Sequence, residues 1–126
     1  MSIASADKAL MACIQYDFLL REIDRLTRCI GESLSWCPIS INADENTPLT
    51  KKGFVKTHLA QAFEPEIEDD GTMQPCYIWF DDAEITEFLS ECPHCTQAYR
   101  QIKERKEFKK RLGAVKRTIR MIGRAS

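Results

Sequence analysis

The chain has 126 residues, 44% of them hydrophobic and 29% charged. That length suits a single domain, residues 1–126, and the apolar fraction excludes global disorder. No apolar run approaches the ~18 residues of a membrane-spanning helix, and MSIASADK at the start lacks the regions of a secretory signal, so the expected setting is soluble and cytoplasmic.

The net charge of −1 hides a strong asymmetry. Residues 1–42 carry five acids and four bases. Residues 43–91 carry twelve acids against Lys51, Lys52 and Lys56, a net of −9. Residues 92–126 carry eleven bases against Glu104 and Glu107, a net of +9. Charge segregated in this way either attracts across the molecule or offers two separate fields to partners.

Residues 5–31 predict a long helix. Ala9, Cys13, Tyr16, Leu20, Ile23, Thr27 and Ile30 alternate four and three apart, Ala12, Leu19 and Leu26 widen the stripe, and Gly31 is suited to end it. Cys13 is expected to fill the core there. The acidic segment 32–92 reads as a smaller lobe. Within it, NADENTP is a loop by its turn residues, 51–63 suggests a short helix, and 76–80 is the best strand. A strand over 39–41 could lie parallel to it. Asp81 is placed as the N-cap of a helix reaching Cys92, with Glu84 three positions on.

Residues 93–123 predict a second long helix, entered through Pro93. Phe108, Leu112, Val115, Ile119 and Ile122 form its apolar seam. Lys103, Lys106, Lys110, Gly113, Arg117, Arg120 and Arg124 fall on the opposite face. That face suits phosphates, with Gly113 allowing close approach, although a solvated or internally neutralised surface has the same composition. Aromatics that would stack single-stranded bases are not interleaved with it.

Cys92-Pro93-His94-Cys95 is a metal-type pair, since two thiolates on a turn leading into a helix converge on one ion. A structural zinc site needs two more ligands. Cys37 and Cys76 are the expected ones, with His94, His58 and Cys29 as substitutes. Free thiols without metal, and a redox dithiol, are the competing readings. Nothing in the chain has the spacing of a nucleophile elbow, a phosphate loop or a zinc protease, so a non-enzyme is expected.

From Cys92 to Arg124 the CPxC motif followed by RLGAVKRTIRMIGR resembles short accessory proteins of bacteriophage and prophage genomes. The resemblance implies a role in a bacterial host cell, one version being an inhibitor of host defence of the anti-CRISPR class. It implies no catalytic residues. The expected fold is mainly α with minor β: two long helices packed as a hairpin, plus a zinc-stabilised central lobe. The expected function is non-catalytic binding of nucleic acid or a host nucleoprotein complex, with no membrane and no small-molecule substrate. The alternative is a structural protein that forms a homodimer through its long helices.

Overall fold

The computed structural model describes residues 3–68, 71 and 76–125, the side chains of 66–68, 76 and 125 excepted. The fold is mainly α, dominated by two long helices, α1 (Ile3–Ser35) and α5 (Pro93–Ala125). Between them lie α2 (Pro38–Ile41), α3 (His58–Ala62), β1 (Glu66–Glu68), β2 (Cys76–Ile78) and α4 (Asp82–Leu89). No helix among the described residues is long and apolar enough to cross a membrane.

Helix α1 runs four residues past the end expected at Gly31. Gly31 stays helical, because only Gly53 and Gly71 have positive φ among the described residues. The stop comes instead from Pro38. A proline disfavours helical geometry in the residue before it, and Cys37 accordingly sits at φ −57°, ψ 132°.

The elements form two compact units: residues 1–29 with 101–126, and residues 30–100. In the first, α1 and α5 pack antiparallel. Phe18 meets Phe108 edge-on with ring centroids 6.5 Å apart, and Arg105 donates to the Thr27 hydroxyl at 3.2 Å. Cys13 and Tyr16 line one groove with Lys116, Ile119 and Arg120. Among the described residues of this unit, Ala12, Leu19, Leu26 and Leu112 are buried. Each buried leucine contributes about 1.5–3 kcal/mol.

The seam of α5 matches its sequence pattern: Leu112 is buried, and Phe108, Val115, Ile119 and Ile122 are half-buried. The seam of α1 is rotated from the expected one. Ala9, Tyr16 and Ile23 keep their places, but Ala12, Leu19 and Leu26 take the centre, leaving Cys13, Leu20 and Thr27 exposed. Cys13 is therefore not a core residue. Both sets have heptad spacing and share Ala9, Tyr16 and Ile23, so the centre of the seam moves by about half of one residue's ~100°, roughly 50°.

In the second unit, Leu59 and Ala62 of α3 and Ile85 and Leu89 of α4 are buried. They join Cys37, Cys92, Cys95, Ala98 and Tyr99 in its core. Asp81 caps α4 as expected: its side chain accepts from the Glu84 amide at 2.8 Å, and the Glu84 carboxylate accepts from the Asp81 amide at 3.2 Å. The ring of Tyr99 packs against Phe63 at 6.0 Å.

Two expectations for this unit are corrected. Residues 39–41 form no strand, because Cys37-Pro38 starts the helix α2, and β2 pairs antiparallel with β1 through Glu66–Ile78, Ile67–Tyr77 and Glu68–Cys76. The helix expected over 51–63 shrinks to α3. Gly53, at φ +89°, turns the chain so that Leu49 and Val55 form a bridge, and Phe54 is left exposed.

Candidate metal centre

Four side chains of the second unit converge: Cys37, His58, Cys92 and Cys95, whose ligand atoms all lie within 4.8 Å of one another. Each is delivered by the first turn of a helix or the residue before it. Cys37 is the N-cap of α2, with Pro38 at its first position. His58 opens α3 after Thr57, whose hydroxyl accepts from the Ala60 amide at 3.2 Å. Cys92 precedes Pro93, and its carbonyl accepts the amide of Thr96 at 3.0 Å, the first helical bond of α5. Cys95 lies one turn further on. The Thr96 hydroxyl donates to the Leu89 carbonyl at 2.8 Å, tying that turn to the end of α4.

The geometry suits a tetrahedral ion. Zinc–sulfur and zinc–nitrogen bond lengths imply S···N separations of about 3.6 Å and S···S separations of about 3.8 Å around one ion. His58 Nδ1 lies 3.3 Å from Cys37 Sγ. Cys37 and Cys95 are fully buried, Cys92 is nearly so, and His58 is half-buried.

The electrostatics favour ionised sulfur at one position. Burial opposes ionisation of Cys37, but the amides of His58 and Ile39 donate to its sulfur and, with Cys95 and the His58 side chain, bring it down to about 7. Cys95 moves the other way, to about 12, through burial and the neighbouring Cys92 and Cys37 sulfurs. Buried sulfurs as close as those of Cys37 and Cys95 can both lose their protons only beside a cation. The four residues are compatible with a metal site of the Cys3His type.

Cys37, Cys92 and Cys95 were expected ligands from the sequence, and the structure brings them together. The side chain of Cys76, the remaining expected ligand, lies outside the described residues. His58, a substitute in the sequence reading, stands in the group. His94 is exposed and Cys29 is half-buried, and the group contains neither. The clearest overlooked signal is the repeated Cys-Pro: Cys37-Pro38 and Cys92-Pro93 build the same helix entry twice.

The residues expected to meet a partner lie along α5. Lys103, Lys106, Lys110, Arg117, Arg120 and Arg124 are all exposed, and Gly113 is half-buried. The Arg117 guanidinium lies over Gly113, where an added Cβ would meet it at 3.8 Å. Lys110 pairs with Glu107 at 3.3 Å, both of them exposed. Compared with protein-family models, curated proteins and solved structures, the chain matches none.

Proposed function

We propose that this protein is a non-catalytic binding module that grips nucleic-acid phosphates through the outer face of α5, and that a structural zinc ion holds its second unit together. The observation carrying the first part is the row of exposed cations from Lys103 to Arg124, opposite the buried Leu112 seam. At about 1.5 Å per residue the row extends about 32 Å, long enough to follow several phosphates.

Zinc is the metal that the donor set favours. Three thiolates and one imidazole are a soft, closed, tetrahedral shell, which selects zinc over harder cations. A closed shell leaves no position for an activated water. Cys37, whose thiol is brought down to about 7, has no exposed surface on which to meet a substrate. Both features support a structural role for the metal over a catalytic one.

The test of the binding part is a variant in which Lys106, Lys110, Arg117 and Arg120 are all Ala, titrated against duplex DNA and RNA over a range of salt. Removing four phosphate contacts is expected to reduce the slope of log affinity against log salt by roughly 3 to 4. Unchanged circular dichroism would show the fold intact. Binding with the parent slope would reject the assignment.

A further inference from the structure

Helix α1 is apolar on two opposite sides. One side is the buried Ala12–Leu19–Leu26 seam. The other carries Ile3, Leu10, Met11 and Ile14, which are between 55% and 85% exposed, and at its edge Phe18, 50% exposed with its ring against Phe108. At 100° per residue these five lie within about 60° of the line through Ile14, and that line is roughly opposite the seam. Apolar side chains concentrated on a solvent face in this way mark an interaction surface, unlike the singly scattered ones of an ordinary surface.

The charges along the same line identify the occupant. Asp7 and Arg21 are exposed and each stands seven residues from Ile14, on opposite sides of it. They carry opposite charge. Leu10 and Phe18 each stand four residues from Ile14 and are both apolar. The surface is therefore complementary to itself when reversed: Asp7 falls opposite Arg21 of a second copy, Leu10 opposite Phe18, and Ile14 opposite Ile14. A two-fold contact uses this symmetry twice over. A parallel arrangement would instead set Asp7 against Asp7 and Arg21 against Arg21. Arg21 already bonds Asp17 of its own helix at 3.1 Å, with both side chains well exposed, so its guanidinium is held on this face.

We infer that the outer face of α1 is the contact surface for a second copy of this chain, the two α1 helices crossing antiparallel about Ile14. The α5 cations lie away from this face of α1, Arg120 lining the groove with Cys13 and Tyr16 and the others opposite the α5 seam, and they stay open in the pair. The inference does not depend on the nucleic-acid reading.

Sedimentation velocity on nuclease-treated protein over a concentration series tests it. The parent should shift from monomer to dimer mass with concentration. Ile14→Lys sets two cations together at the two-fold axis and should weaken association at least about tenfold, with the circular dichroism of the parent retained. Asp7→Arg should weaken association too, and the exchange Asp7→Arg with Arg21→Asp should restore it. A parent that stays monomeric across the series overturns the inference. So does a dimer unaffected by Ile14→Lys, or one weakened by Asp7→Arg that the exchange fails to restore.

Discussion

His58 Nδ1 and Cys37 Sγ stand 3.3 Å apart, although 21 residues separate them in the chain. That approach places an imidazole in the fourth corner of a group whose other corners are sulfur. Purified protein is therefore expected to carry one equivalent of zinc by elemental analysis. His58→Ala and Cys95→Ser should each lower both metal content and melting temperature, because metal affinity is coupled to folding. Cys76→Ser should leave the zinc content unchanged, since four ligands already complete the shell. Loss of zinc in that variant, with His58→Ala still loaded, would return the fourth corner to Cys76.

Leu19 is 2% exposed and its neighbour Leu20 is 41% exposed, so adjacent leucines should respond very differently to the same change. Leu19→Asp buries an unpaired carboxylate in the α1–α5 seam and should cost about 3 kcal/mol or more. Leu112→Asp should behave alike. Leu20→Asp should stay within about 1 kcal/mol of the parent. Thermal or urea unfolding measures all three, and equal losses at Leu19 and Leu20 would contradict the rotated seam.

Gly113 lies in the interior of α5, where alanine is favoured over glycine by about 1 kcal/mol. An added Cβ would meet only the Arg117 guanidinium, at an ordinary 3.8 Å. Gly113→Ala should therefore stabilise the protein. If a phosphate approaches the backbone here, the same variant should bind nucleic acid more weakly while melting higher. Stability and affinity measured together separate the two effects.

Tyr99 donates to Asp82 Oδ1 at 2.5 Å. Burial, and then that carboxylate, push its phenol from 10 up to about 12. The folded value lies above the unfolded one, so the contribution is complete below about pH 10 and is lost as the pH rises toward 12. Tyr99→Phe should lower stability near neutral pH by about 1 kcal/mol and flatten the decline between pH 10 and 12. Denaturant unfolding across that range is the measurement.

Much of this was legible in the residues. The two long helices, the capping box at Asp81 and the α5 seam follow from spacing that one helix can read by itself. The centre of the α1 seam was not, because two apolar sets with the same heptad period share that helix. Only a partner element decides which set is buried, and the losing set (Cys13, Leu20 and Thr27) is left exposed. Three of the gathered side chains could be named because a Cys-x-x-Cys pair entering a helix points to few roles besides metal binding. His58 was harder to place, since its position depends on Gly53 turning the chain and on Thr57 capping a helix of five residues. Neither event carries a periodic signal.

The cysteine–histidine group also bears on the order of folding. Phe18 and Phe108 touch across about 90 residues of intervening chain, so the pairing of α1 with α5 is a long-range closure of the kind that slows folding. An ion linking Cys37 to Cys95 would shorten the path between the two rings to roughly 30 residues. The entropy of closing that loop then falls by about 1 kcal/mol, on the logarithmic dependence of closure on length. If closure limits the rate, refolding with zinc present should run about fivefold faster than refolding in chelator, with the gain in the folding limb of the chevron. In that sequence of events the central unit forms first, and the two arms meet afterwards.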